Sequence, residues 1–293
     1  MVGWRMTNVW VLGARPRTLV AAVCPVLVGT AAAAAEGPVV AWRALAALVV
    51  ALALQVGVNY ANDYSDGLRG TDTPARLGPA RLTAAGLAAP AAVRRAALVA
   101  FAVAAVAGLA LALAVDLRLL LVGVVAIAAA VLYTGGPRPY GYAGFGELAV
   151  LVFFGVVATC GSAYVQLARV PAVAAAACVP VGLGAVAILL ANNVRDIDGD
   201  RLAGKRTLAV RLGRSRARDL FAAVVAAMFV AAGLLGLARP PVFLAMAAMP
   251  LAFAPVRLVR TRSDGPGLIA ALGATARLQL ATSLLLAAGL WWS

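Results

Sequence analysis

Apolar residues along this chain come in long unbroken runs, without the alternating or three-and-four spacing that leaves one face to water. Stretches such as 96–115 and 220–238 reach the roughly 20 residues that an α-helix needs to cross a bilayer. Nine spans are predicted, over 18–35, 41–60, 96–115, 118–133, 147–168, 172–193, 219–238, 241–259 and 267–292. The expected fold is an all-α polytopic membrane protein, one transmembrane domain over residues 1–293. Pro25, Pro180, Pro250 and Pro255 fall inside spans, where they are expected to kink the helices and shape a cavity. The first span follows Arg5, Arg15 and Arg17 and carries no small-residue cleavage site, so it reads as an uncleaved anchor. Trp291 and Trp292 stand where an interfacial aromatic anchor would sit.

Composition agrees. Of 293 residues, 64% are hydrophobic and 12% charged, with a mean hydropathy of +0.96; ordinary soluble domains are about 45–50% apolar and about 25% charged. Histidine is absent, which removes His-based general bases, haem ligation and most zinc sites. Cys24, Cys160 and Cys178 lie inside apolar runs with no CxxC pair and read as small buried hydrophobes. A net charge of +14 could suggest nucleic acid, but the arginines sit in loops between apolar runs, and membrane topology explains them better. Twenty of the 25 basic residues fall on one set of loops and four on the other, with Arg277 inside the ninth span. That bias places the N-terminus in the cytoplasm and the C-terminus outside. The Ala/Gly/Val/Arg bias, with Lys205 the sole lysine, points to a high-G+C bacterial genome, so the expected setting is a bacterial plasma membrane.

The acids are sparse and clustered. Six of the eleven form two groups, Asp63, Asp66, Asp72 and Asp196, Asp198, Asp200, at the cytoplasmic ends of the second and sixth spans. Asparagines precede both: Asn59 and Asn62, then Asn192 and Asn193. Asp63 and Asp196 are 133 residues apart, which suggests two related four-helix halves plus one added helix, each half delivering one acidic cluster to a common mouth. On a helix end, Asp63 and Asp66 share a face, as do Asp196 and Asp200, while Asp198 points elsewhere. Such carboxylate pairs with amide oxygens offer hard ligands suited to Mg²⁺ held together with substrate phosphates. Aspartates can also merely solvate loops, and one inside a span costs about 2.5–3.5 kcal/mol. Two clusters at equivalent span ends favour a shared site. Arg69, Arg76 and Arg81 follow the first cluster; Arg195, Arg201, Lys205 and Arg206 surround the second, and arginine and lysine both bind phosphate.

The blocks 62–66 (Asn-Asp-Tyr-Ser-Asp) with 69–72 (Arg-Gly-Thr-Asp), and 192–201 (Asn-Asn-Val-Arg-Asp-Ile-Asp-Gly-Asp-Arg) with 204–213, resemble the two aspartate-rich motifs of UbiA-type membrane prenyltransferases. Stretches 14–19, 76–83 and 133–139, the last leading to 144–147, resemble the branch that prenylates 1,4-dihydroxy-2-naphthoate in menaquinone biosynthesis. Where the general family pattern has a third acid four residues after Asp66, this chain has Gly70; the third acid is Asp72, the spacing of the naphthoate branch. The resemblance implies a nine-helix bundle with a cavity open to lipid, taking a polyprenyl diphosphate and 1,4-dihydroxy-2-naphthoate, with no role for nucleic acid. It implies two Mg²⁺ ions on Asn62, Asp63, Asp66, Asp196 and Asp200, and catalytic roles for those four aspartates and Lys205. Arg69, Arg81, Arg195, Arg201, Lys205 and Arg206 would bind the diphosphate. Asn59, Asp72, Tyr133, Tyr140, Glu147 and Asn192 would face the acceptor or the allylic cation, tyrosines through their π faces. Glu147 could equally favour the start of the fifth span through the helix dipole.

Other readings stay open on residues alone. Another acceptor, such as 4-hydroxybenzoate, homogentisate or a sugar phosphate, would keep the same motifs. A transporter or cation pathway would place acids near mid-membrane, whereas these crowd one edge. A CDP-alcohol phosphotransferase would need a DGxxAR-type motif, which 66–69 does not match.

Overall fold

Lipid offers no partner for a backbone N–H or C=O, so each apolar run must close its own hydrogen bonds as a helix. The computed structural model describes residues 8–71, 78 and 80–293, and no strand occurs among them. Asp72, Arg76 and Arg5 lie outside the described residues. The helices are α1 (Val9–Ala14), α2 (Pro16–Ala34), α3 (Ala41–Leu68), α4 (Pro90–Ala114), α5 (Arg118–Leu132), α6 (Gly146–Leu167), α7 (Ala172–Leu202), α8 (Leu208–Ala238), α9 (Pro240–Thr261) and α10 (Gly265–Trp291). Eight of them, α2–α4 and α6–α10, are long and apolar enough to cross a membrane. The fourth predicted span falls short. It forms α5, whose 15 residues rise about 22 Å against a hydrocarbon core of about 30 Å.

Helix pairing follows the expected division into halves. In each, the second helix packs most extensively on the third, α3 on α4 and α7 on α8. Helix α7 is the axis of the bundle, touching α6, α8, α2 and α10, and its apolar stretch is the most buried of all the helices. Helix α10 packs on α9, α2 and α7. By contrast, Leu98, Val99, Val106 and Leu113 of α4 and Leu121 and Val124 of α5 are exposed, the surface a lipid-facing wall requires. Helix α6 widens to π-helical turns over Leu151–Cys160. This segment meets α7 backbone to backbone: a Cβ on Gly155 would lie 3.0 Å from the Gly182 Cα.

Helices α3 and α7 overrun the bilayer. Their 28 and 31 residues rise about 42 and 46 Å, so the sequence-predicted ends at 60 and 193 are extended by two to three polar turns that stay helical. Both extensions stop in the same way. Gly70 and Gly204 take φ of +65° and +73°, conformations open to a residue without Cβ. The next N–H in each case, from Thr71 and Lys205, bonds back to the carbonyls of Asp66 and Asp200 at 3.1 and 2.8 Å. These matched helix ends make Asp66 equivalent to Asp200 at an offset of 134 residues. The repeat is therefore Asn59/Asn193, Asn62/Asp196 and Asp66/Asp200, one residue off the Asp63/Asp196 pairing expected from the sequence.

Candidate active site

The 134-residue register explains which side chains meet. Positions 59, 62 and 66 lie on one helical stripe of α3, and 193, 196 and 200 on the matching stripe of α7. Asp63 lies about 100° away from Asn62 around the helix. It turns from the mouth to accept the backbone N–H groups of Leu82 and Thr83, both at 2.8 Å, and is buried. Asp63 thereby holds the loop that follows the first motif, and Leu82 in turn packs into the α1–α3–α4 cluster.

Asp66 is the centre of the mouth. It accepts a short hydrogen bond from the Tyr142 hydroxyl, and its Oδ2 lies 3.2 Å from Lys205 Nζ and 3.6 Å from Arg81 Nη2. Lys205 Nζ lies 3.9 Å from Asp200 Oδ1 and 4.5 Å from the centroid of the Tyr142 ring. Carboxylates from both halves thus converge on the one lysine of the chain. Burial alone would lower the pKa of Lys205, but Asp66, Tyr142 and Asp200 outweigh it and leave the group raised. Burial, and next the negative charge of Asp66, raise the Tyr142 phenol, which stays protonated and donates.

The loop between α5 and α6 closes over this centre. The Arg69 guanidinium donates to the carbonyls of Thr134 and Gly136 and stacks over Tyr142 at 5.4 Å, while the Thr134 hydroxyl donates to Asn62 Oδ1 at 2.7 Å. The Arg206 N–H reaches the Tyr142 carbonyl at 2.8 Å; its side chain and that of Arg201 are exposed at the rim. Tyr133 and Tyr140 meet edge to face at 5.4 Å. The Tyr140 hydroxyl donates to the Ala129 carbonyl at 2.9 Å, and burial pushes its pKa up to about 12.

Other expected residues are placed differently. Arg195 grips the neighbouring Asp196 through two 2.7 Å bonds, so its planar fork already meets a carboxylate. Asp198 pairs outward with Arg214 at 2.6 Å. Asn59 ties α3 to the α1–α2 junction, donating to the Ala14 carbonyl at 2.8 Å and to Thr18 at 3.2 Å. Asn192 donates to the carbonyl of Ile188 in its own helix; Asn193 is the one that reaches across, donating to Glu147 Oε1 at 2.8 Å. Sequence reasoning offers Tyr142, with Tyr60 and Tyr64, as a π face for the allylic cation and not as the hydrogen-bond partner of Asp66; it gives Asn193 no role of its own and leaves Thr134 out of the site. The 134-residue repeat of Asn59 is the signal that would have found Asn193.

The donor set suits a hard cation bound together with a phosphate group. Asn62, Asp66, Asp196 and Asp200 all carry oxygen donors on the two matching stripes, and a single ammonium already draws Asp66 and Asp200 together. Among the described residues no three acidic or thiol side chains form a ready-made metal cluster: Asp63 is held by the 82–83 backbone and Asp196 by Arg195.

Known proteins resemble the chain in sequence and in fold. The chain is 50% identical over 281 residues to the 1,4-dihydroxy-2-naphthoate octaprenyltransferase of Mycobacterium tuberculosis, covering 96% of each chain. It is 38% identical to the enzyme of the same name from Escherichia coli, covering 98% of this chain and 96% of that one. Its fold resembles a UbiA homolog from Aeropyrum pernix (TM-score 0.66, 18% identity, 92% and 96% coverage). It also resembles a UbiA homolog from Archaeoglobus fulgidus bound to GPP and Mg²⁺ (TM-score 0.63, 16% identity, 94% and 99% coverage). The pattern of the UbiA prenyltransferase family matches residues 22–272, and this multi-pass membrane protein belongs to that family.

Proposed function

We propose that the protein transfers a polyprenyl group from a polyprenyl diphosphate to 1,4-dihydroxy-2-naphthoate, with loss of the ring carboxylate and release of pyrophosphate, giving demethylmenaquinol. The observation that carries this reading is the convergence of Asp66 and Asp200, one from each half, on Lys205. The names of the relatives at 50% and 38% identity support the acceptor. The 1–293 chain acts as one transmembrane domain in the bacterial plasma membrane. The 20-to-4 distribution of basic residues orients its mouth to the cytoplasm.

In this reading Asn62, Asp66, Asp196 and Asp200 would hold two Mg²⁺ ions, with Asp63 fixing the adjoining loop. Bound with the diphosphate, Mg²⁺ supplies positive charge against the charge that builds on departing pyrophosphate. Lys205 and Arg81 add cationic charge from within the site, Arg69, Arg201 and Arg206 line its rim, and Arg195, buried against Asp196, contributes its charge through that pair, a preorganised field that needs no rearrangement as the bond breaks. Tyr142 keeps Asp66 oriented through its hydroxyl. As the allylic carbon loses pyrophosphate, Tyr133 and Tyr140 offer π faces to the developing cation, and the apolar walls keep water from intercepting it. The electron-rich acceptor ring then attacks that carbon, and the ring regains aromaticity by losing its carboxylate as CO₂.

Purified protein is offered a long-chain prenyl diphosphate with 1,4-dihydroxy-2-naphthoate or 4-hydroxybenzoate, in Mg²⁺ and in EDTA. A prenylated, decarboxylated naphthoquinol formed only in Mg²⁺ is the expected result. Product from 4-hydroxybenzoate alone would overturn the acceptor assignment and leave the transfer chemistry standing.

A further inference from the structure

The two halves treat one repeated position differently. At Asn59, in the first half, polar groups are mutually satisfied: its amide donates to Ala14 at the end of α1 and to Thr18 at the start of α2, and its Oδ1 accepts from Gln55 at 3.2 Å. Asn193, its repeat, likewise reaches the start of its half's first helix, where Glu147 Oε1 accepts at 2.8 Å. There the second carboxylate oxygen of Glu147, Oε2, is buried and has no hydrogen-bond partner among the described residues, in a side chain only 7% exposed. A buried carboxylate oxygen without a donor is costly, so this half is complete only when something supplies an O–H or N–H.

The position of that oxygen indicates the donor. Asn193 lies on the stripe of Asp196 and Asp200, so Glu147 sits about 5 to 10 Å deeper than those carboxylates along α7. The backbone of Gly146, the residue before Glu147, packs against the Tyr133 hydroxyl, a Cβ there lying 3.0 Å from the oxygen. The carboxylate therefore lies beneath the diphosphate mouth, at the depth of a ring approaching the allylic carbon.

We infer that Glu147 Oε2 accepts a hydrogen bond from the phenolic hydroxyl of the acceptor, with Asn193 as the positioning residue that aims it. The inference rests on the naphthoate reading above and adds which hydroxyl is bound. In 1,4-dihydroxy-2-naphthoate the 1-hydroxyl can close onto the adjacent carboxylate, so the free 4-hydroxyl is the donor. Its hydrogen bond to a carboxylate enriches the ring in electrons and holds it in register, so that the carboxylate-bearing carbon, which the prenyl group joins as CO₂ leaves, faces the allylic carbon. No co-reactant is needed, and the proton stays shared along O–H···O.

The test compares binding of 4-hydroxy-2-naphthoate and 2-naphthoate, which lacks the hydroxyl, to purified protein loaded with Mg²⁺ and an unreactive prenyl thiolodiphosphate. Wild type prefers the hydroxylated ring by about tenfold or more, as for a hydrogen bond to a charged group. In Glu147→Ala the preference drops below threefold while affinity for the thiolodiphosphate is unchanged; the isosteric Glu147→Gln reduces it by at least threefold and serves if the alanine variant does not fold. Asn193→Ala raises the KM for the naphthoate acceptor and leaves that for the prenyl diphosphate. A wild-type preference retained in both Glu147 variants overturns the inference. Wild type binding neither ring points instead to failure of the naphthoate reading.

Discussion

Removing the cation on which both halves converge is the sharpest single perturbation of the site. Lys205→Met keeps the length and apolar stem of the side chain and deletes its charge. Lys205 Nζ lies 3.2 Å from Asp66 and 3.9 Å from Asp200; at an effective dielectric of 20 these contacts are worth about 5 and 4 kcal/mol gross. Desolvation of the buried groups cancels much of that. Asp66 also keeps Arg81 at 3.6 Å and the Tyr142 hydroxyl. A net loss of about 1–3 kcal/mol in stability is expected, short of unfolding. Catalysis should suffer more. Lys205 is aimed where charge develops on the leaving group, and loss of one such preorganised group costs about 10²–10³ in rate. The assay is kcat/KM for the prenyl diphosphate in detergent, paired with thermal unfolding of the same sample. Lys205→Arg should recover part of the loss, because the charge returns with a different shape. A folded Lys205→Met protein within threefold of wild type would refute the reasoning.

Other outcomes follow from the same geometry. Gly182→Val should block the close α6–α7 approach, since a Cβ there falls 2.9 Å from the Gly155 Cα; a fall in Tm of several degrees is expected, and an unchanged Tm would mean that the seam is looser. The Cys160 thiol donates across that seam to the Ala174 carbonyl of α7 at 3.8 Å, one turn from Cys178, whose thiol donates to the Ala175 carbonyl of its own helix at 3.1 Å; copper phenanthroline should therefore leave one free thiol in wild type and both remaining thiols free when Cys160 is replaced by serine, and mass spectrometry of the linked peptides checks this. Lys205 has a folded-state pKa above its usual value of about 10.4, so its contribution to stability is fully present below that value and is lost only as pH rises through the higher folded one. The Tm difference between wild type and Lys205→Met should therefore stay flat from pH 6 to pH 9; a difference that shrinks over that range would show the lysine titrating early.

Much of this architecture was legible because hydropathy alone dictates it: apolar runs long enough to span leave the backbone no alternative to helix. The placement of both acidic clusters at equivalent helix ends was legible too, and the structure keeps Asp63, Asp66, Asp196, Asp198 and Asp200 there. What the sequence pattern did not disclose is which carboxylate of each cluster faces the mouth. Asp63 and Asp66 sit a permissible three residues apart, yet the loop at Leu82 and Thr83 claims Asp63. The Arg195–Asp196 grip is a side-chain choice between adjacent residues that no periodicity encodes. Tyr142 arrives through a loop about 75 residues downstream of Asp66, and only folding brings them together. Asn192 and Asn193 are neighbours of one type; one of them points across the interface because it falls on the stripe of Asp196 and Asp200.

The central claim is that both halves of the chain build one diphosphate site. A double-mutant cycle on Mg²⁺-dependent affinity for an unreactive prenyl thiolodiphosphate tests it directly, using wild type, Asp66→Asn, Asp200→Asn and the double variant. If the two carboxylates serve one ligand, each single change removes most of the affinity, and the double variant loses far less than the two effects combined, a coupling of about 1 kcal/mol or more. Strictly additive losses would contradict a shared site and assign the two clusters to separate roles.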